Sequence, residues 1–454
     1  MINKLDYSKR IDFINGPLVK NVLLFAFPLM ITTLLQMLFN AADTIVVGQF
    51  VSQNALAAVG ATGSLIYLIT SLFTGLGVGV NVVVSNAIGA NDEGKIKYSI
   101  DASIILAIIG GIILTIVGIL FSNKLLRMMA TPIEIISQST LYMQIIFIGA
   151  IPNLLYIFAS SILRANGDTT RPMYYLLFAG LVNVILNCIM TIVFKFGIAG
   201  VAIATVVSQI ISCILTINAL IKGDRLIKLN IKSLSFDLKM TIEIIRIGVP
   251  AGIQGMVFSI SNVAVQRAIN SFNSATIIAA DTAAANIERF LAIGMQAFSQ
   301  STMTFTSQRV GAKKIDGIKR VLLVTLVLNA LTTFLIGINL WYFGEYFLAL
   351  FSDDKSVITN GLIRLFWIAP FLTINSVSDT LVNSMRGMKY SLFPTILMLF
   401  SICGFRLLWI DTYFKTHHTL NALYVCYPLS WLCSMILELI LWIYLFNKFK
   451  HKKG

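Results

Sequence analysis

The chain has 454 residues, of which 57% are hydrophobic and only 12% charged, against about 25% charged in a soluble domain. That composition excludes a soluble enzyme, a fibrous protein and a disordered chain, and without polar residues at every second position it excludes a transmembrane β-barrel. The formal charge of +14, from 34 Lys+Arg against 20 Asp+Glu, is the basic excess of membrane-protein loops, not a nucleic-acid surface.

Residues 1–16 are polar and mixed in charge, with no cleavable signal expected. Apolar runs of spanning length then follow at 18–46, 56–84, 100–121, 135–159, 173–196 and 201–221. A polar linker comes next, and six more runs occupy 244–268, 277–305, 321–343, 357–385, 392–410 and 420–446. The fold class is therefore an all-α membrane protein of 12 transmembrane helices. With the N-terminus inside, inward segments hold 25 Lys and Arg and outward loops hold 6. This split puts both termini in the cytoplasm of a cell inner (plasma) membrane protein. The five cysteines all lie in apolar stretches and read as packing residues.

An internal repeat is the most informative feature. Pro28 and Pro250 lie early in the first and seventh runs, 222 residues apart. The pairs Gly89-Ala90 and Gly311-Ala312, Arg164 and Arg386, and Pro172 and Pro394 share that offset. The sequence thus divides into a six-helix lobe over 1–221, a cytoplasmic linker over 222–242 and a second six-helix lobe over 243–454. Six is an even number, so both lobes enter from the same side, with a pseudo-two-fold axis along the membrane normal expected and substrate between the lobes. Pro28, Pro152, Pro250 and Pro370 lie inside runs and kink helices. The recurrence of Pro28 and Pro250 makes them the hinge candidates. Gly75, Gly77 and Gly79 permit close helix approach.

No catalytic constellation appears, so the chain is not read as an enzyme. The stretch Gly89 to Lys95 matches GxxxxGK, but Ile96 replaces the Mg²⁺-binding hydroxyl and no strand precedes it. No nucleotide, metal or cofactor is expected, and transport must run on an ion gradient. Carboxylates inside membrane runs are costly and point to function. They are Asp43, Asp281, Glu288, Asp379 and Glu438. Each can hold a proton, Na⁺ or a cationic substrate, and each can alternatively be paired with a charge on another helix. Asp281 and Glu288 are seven apart, two turns along one helix face.

The stretches Gly16-Pro17-Leu18, Ala26-Phe27-Pro28-Leu29, Asn40-Ala41-Ala42-Asp43-Thr44, Val47-Gly48 and Ala55-Leu56-Ala57-Ala58-Val59-Gly60 resemble the multidrug and toxic compound extrusion (MATE) family, prokaryotic branch. Thr306-Ser307-Gln308-Arg309-Val310-Gly311-Ala312 is similar to the second-half signature, with Arg309 where Asn is usual. The resemblance covers nearly the whole chain.

It implies cation-coupled export of organic, often cationic, drugs by rocking of two lobes. It also implies a coupling site at Asp43, Asn183 and Thr205, with Asn187 where the family often has Asp. Other branches place a Glu in the seventh helix, where Gln254 is the nearest polar substitute. Asn375 takes the tenth-helix position where one branch keeps an Asp, and Asp379 follows one turn later. Expected substrate contacts are Glu288, Asp379, Asp281 and Gln254. The alternative function is a flippase for a lipid-linked or anionic precursor of the same superfamily, with Arg289, Arg364 and Arg406 binding phosphate. Expected partners are a small organic molecule, transported H⁺ or Na⁺ and membrane lipids, with no nucleic acid, and the chain is expected to be a monomer.

Overall fold

The computed structural model describes residues 11–129, 131–223 and 226–453. Among these residues every regular element is helical. Lys4, Lys9, Arg10 and Arg225, counted among the inward basic residues, lie outside the described residues.

The first half contains α1 (Leu18–Phe50), α2 (Gln53–Gly89), α3 (Glu93–Met128), α4 (Ile133–Ile148 continued by Ala150–Ala165), α5 (Thr170–Val193) and α6 (Gly197–Ile221). The second contains α7 (Leu238–Asn270), α8 (Ala275–Gly311), α9 (Asp316–Tyr342), α10 (Lys355–Ile368 continued by Leu372–Gly387), α11 (Leu392–Phe414) and α12 (Leu420–His451). Up to eleven spans are long and apolar enough to cross a membrane, counting α4 and α10 as one bent span each. The twelfth, α8, has 37 residues but is broken chemically by Asp281, Glu288 and Arg289 and is rich in Ser, Thr and Gln. On α3 the outward face shows why such helices need a lipid solvent. Ile109, Ile112, Ile113, Ile116 and Leu120 are exposed, while Gly110, Gly111 and Leu114 are buried.

The repeat reaches the backbone. Helices α1 and α7 each have 33 residues, and α2 and α8 each have 37. Ser52 caps α2 by accepting from the Ala55 amide at 3.1 Å, and Ser274 caps α8 by accepting from the Ile277 amide at 3.4 Å. Left-handed residues follow the same offset: Asn91 (φ 52°) with Lys313 (φ 58°), and Gly167 (φ 90°) with Lys389 (φ 70°). A π turn closes α5 at Ile189–Val193 and recurs in α11 at Ile410–Phe414.

The prolines act unequally. The sharp bends are in α4, 48° at Gly149 near Pro152, and in α10, 44° beside Pro370. Helices α1 and α7 continue as helix through Pro28 and Pro250.

Two compact units are present, and their boundaries do not follow the linker. Residues Phe27–Met256 belong to one, and Phe13–Ala26 with Val257–Gly454 to the other. The sequence alone predicts the division at 222–242. The reason lies in two packing details. A Cβ added to Gly248 would come within 2.6 Å of the Leu76 Cα, and one on Gly252 within 2.6 Å of the Leu72 Cα. The early turns of α7 thus press backbone to backbone on α2, inside the first unit. In the second unit, Phe13 just before α1 and Phe25 in its early turns pack edge-on against Phe305, with ring centroids 4.6 and 5.8 Å away.

Candidate functional site

In the first unit, three helices bring four sequence-predicted residues together. Asp43 is half-buried on α1, Asn183 and Asn187 are buried one turn apart on α5, and Thr205 is on α6. Asn187 Nδ2 donates to Asp43 Oδ1 and also to Asn183 Oδ1, the latter at 3.3 Å. Asn183 Nδ2 in turn donates to Thr205 Oγ1 at 3.4 Å, and Thr205 Oγ1 donates to the Val201 carbonyl at 3.0 Å. The Asn187 side chain is 0% exposed, and its Oδ1 is buried without a hydrogen-bond donor. A buried carbonyl oxygen beside a carboxylate is the donor set a hard cation takes. The apolar cluster of Val47, Ala55, Ala58, Ile135, Ile198 and Val201 packs in the same unit, with Tyr142 of α4 against it. Tyr142 also interacts electrostatically with Asp43. Sequence reasoning missed this tyrosine, which no local pattern distinguishes.

The second unit treats its acids differently. Arg364 of α10 meets Glu288 through two parallel bonds, Nε to Oε1 at 2.9 Å and NH2 to Oε2 at 2.8 Å. Its NH1 donates to Asp281, which also accepts from the Tyr424 hydroxyl at 2.8 Å. The guanidinium lies within 6 Å of the Tyr424 and Tyr427 ring centres, at 5.7 and 5.8 Å. Asp281 and Glu288 therefore sit in an ion-pair network with Arg364. The physical reason is cost, because a charge out of water needs an opposite charge and full hydrogen bonding.

Asp379 is placed otherwise. Together with Asn375 it lines a cavity of about 250 Å³ in the second unit, whose wall also includes Arg406, Phe258, Met295 and Trp431. Ser299 and Arg386 lie beside its carboxylate. Glu438 of α12 is fully buried and faces Arg386 and Asp379 electrostatically. Gln254 is buried in α7 within Phe27–Met256, the first unit, where the neighbouring Gly248 and Gly252 hold that stretch to α2.

Of the three arginines that a phosphate-binding cavity would need, Arg364 is consumed by its carboxylates and Arg289 is exposed. Only Arg406 reaches the cavity. Arg309, the departure from the second-half signature, is 5% exposed and donates to the Gly317 carbonyl at 3.0 Å, holding the turn after α8.

Comparison with known proteins agrees with this architecture. The MatE family model matches residues 28–189 and 250–409, one match in each half. The probable multidrug resistance protein YoeA of Bacillus subtilis (strain 168) is 26% identical over 451 residues, covering 96% of this chain and 94% of its own. The probable multidrug resistance protein YpnP of the same organism is 28% identical over 383 residues, covering 84% and 85%. A solved structure described as the outward-facing conformation of a multidrug resistance MATE family transporter of the MOP superfamily superposes with a TM-score of 0.90. It does so at 21% identity over 98% of this chain and 99% of that chain, a shared fold. This multi-pass membrane chain, matched by the family model in both of its repeated halves, belongs to the MatE family of multidrug and toxic compound extrusion transporters.

Proposed function

We propose that the chain exports small organic molecules, cations among them, in exchange for H⁺ or Na⁺ moving inward, with its two halves alternating in access. The observation behind this reading is the network of Asp43, Asn187, Asn183 and Thr205, which joins three helices through one carboxylate. The relatives named as multidrug resistance proteins support export as its direction and drugs as its cargo.

In this mechanism, Asp43 is charged when the cytoplasm-facing cleft takes up substrate. H⁺ or Na⁺ arriving from outside cancels that charge. A proton converts the Asp43 carboxylate from a pure acceptor into a donor and weakens its hold on the Asn187 amide. Na⁺ would find oxygens at Asp43, at the unpartnered Asn187 Oδ1 and at Thr205. Either ion drives the switch only by binding one access state better than the other. The 25 to 6 division of basic residues supports cytoplasmic termini in the plasma membrane.

The test is ethidium efflux from vesicles containing the protein, with pH and Na⁺ gradients imposed separately, wild type beside Asp43→Asn. Efflux that follows one gradient and disappears in the variant supports the reading. Gradient-driven efflux that persists in Asp43→Asn overturns the coupling site.

A further inference from the structure

We propose that the seam between the first turns of α9 and the last turns of α12, in the second unit, binds an anionic phospholipid, with the lipid phosphate among Lys319, Arg320, Lys448 and Lys450.

The two helix ends meet at this seam. Ile318 and Leu322 of α9 and Trp442, Phe446 and Phe449 of α12 are buried in one apolar cluster. The Lys319 ammonium lies over the Phe446 ring, 5.0 Å from its centre, and the Lys450 ammonium lies 4.0 Å from the Asp316 carboxylate. Lys319, Arg320, Lys448 and Lys450 are all exposed. Over residues 316–323 and 444–451 these four cations share a single carboxylate, that of Asp316. Its side chain is 98% exposed, so the contact with Lys450 neutralises little.

Beyond the charges the exposed surface turns apolar. Leu323, Val327 and Leu331 follow at helical spacing on α9, and Ile440, Ile443 and Tyr444 lie on α12. Cations at the end of an apolar stripe, with a tyrosine at the border, match a phospholipid from its phosphate to its acyl chains. The lysine stems can lie on the apolar seam while the ammonium groups reach the headgroup.

The internal repeat shows what such a seam requires. In the first half the equivalent seam, 222 positions earlier, lies between α3 and α6, and the linker covers it. Asp101 of α3 accepts from the Ser235 amide at 3.2 Å and from its hydroxyl at 3.1 Å. The Leu229 amide donates to the Leu220 carbonyl of α6 at 3.0 Å, and the Ile227 and Leu229 side chains are buried. Asp101 is thereby 2% exposed, whereas its counterpart Leu323 is 63% exposed. The second seam has no such cover among the described residues. A lipid supplies there what the linker supplies in the first half, apolar contact along the helices and polar partners at their ends. The four cations select an anionic headgroup, because the quaternary ammonium of a zwitterionic lipid would bring like charge among them.

The experiment is native mass spectrometry of the full chain released from detergent, titrated with phosphatidylglycerol or with phosphatidylcholine of the same acyl chains. The first phosphatidylglycerol is expected to bind wild type at least about tenfold more tightly than the first phosphatidylcholine. The double variant Lys319→Gln, Lys450→Gln should bring the two lipids to within about twofold of each other. The control pair Lys124→Gln, Lys415→Gln removes the same charge from exposed positions elsewhere and should leave the preference within about twofold of wild type. Leu323→Asp, which installs the first-half residue at the exposed position, should weaken phosphatidylglycerol by about tenfold, and it decides alone should the double variant fail to fold. Equal binding of the two lipids by wild type overturns the proposal. So does an equal loss in the control pair, which would mark a general response to net charge, and so does a Leu323→Asp protein that binds phosphatidylglycerol as wild type does.

Discussion

Asn187 donates through its amide nitrogen to Asp43, 144 positions earlier in the chain, and leaves its own carbonyl oxygen buried with no donor. Two substitutions at Asn187 read that arrangement. Asn187→Asp adds a second carboxylate to the same oxygen set, and cation affinity follows ligand charge. With Na⁺ as the coupling ion, the concentration for half-maximal efflux should fall by about tenfold, equivalent to about 1.4 kcal/mol; with H⁺, Na⁺ should stimulate neither protein. Asn187→Leu removes donor and acceptor together and should abolish stimulation. A Na⁺ titration of ethidium efflux checks both.

Arg364 serves two carboxylates at once. Removing it alone, as Arg364→Met, leaves Asp281 and Glu288 buried and repelling each other. A loss of about 3–5 kcal/mol is expected from breaking such a buried pair. The triple change Arg364→Met, Asp281→Asn, Glu288→Gln removes every charge and should recover most of that loss. Thermal unfolding of purified protein in detergent measures the difference. A single variant as stable as wild type would show that water or lipid headgroups reach these carboxylates.

The contact of α7 with α2 is made of backbone. Gly252→Ala must push its methyl against the Leu72 main chain, with the Leu72 carbonyl oxygen only 2.7 Å from the new Cβ. A rigid neighbour cannot yield as a side-chain tip does, so a destabilisation of about 1–3 kcal/mol is expected. At Gly255, one turn on, the nearest atoms would be 3.5 Å away. Gly255→Ala should therefore be tolerated, and the two melting curves form an internally controlled pair.

Asp92 caps α3 in the loop after α2. Its Oδ1 accepts from the Lys95 amide at 3.0 Å, and its Oδ2 lies 2.9 Å from the Lys95 ammonium. Those bonds hold its carboxyl below the usual carboxylate range. A folded-state affinity for protons below that of the unfolded chain means the cap's contribution is present above the ordinary carboxylate range and is lost as pH falls through the lower, folded value. Asp92→Ala should speed amide exchange of residues 93–96 at neutral pH, and the gap from wild type should close in acid. Asp92→Ser, which caps without a charge, should show no such pH dependence.

Much of the fold is legible in the sequence because a membrane helix needs only an apolar run, and the offset of 222 then shows the duplication. Helix ends are less legible, since caps and not hydropathy set them. Thus α2 begins at Gln53 behind Ser52, three residues before its apolar run. The grouping of Asn183 and Asn187 with Asp43 is legible only through the family resemblance, since no charge marks either asparagine. The pairing of Arg364 with Glu288 and Asp281, 76 and 83 positions away, leaves no local trace. The resemblance groups Gln254 with the C-terminal acids, as the nearest polar substitute for a seventh-helix Glu. The glycines at 248 and 252 place it elsewhere, and only their contact with α2 reveals why.

The division inside α1 has a consequence for synthesis. Phe13 and Phe25 find their partner in Phe305, roughly 280 residues later. At a ribosomal rate of about 5–20 residues per second, the start of the first helix waits on the order of tens of seconds before its ring contacts exist. Through that interval the nascent chain holds two exposed phenylalanines at the membrane edge. Helix α8 completes the start of the chain, so a product truncated before it would keep an unfinished beginning.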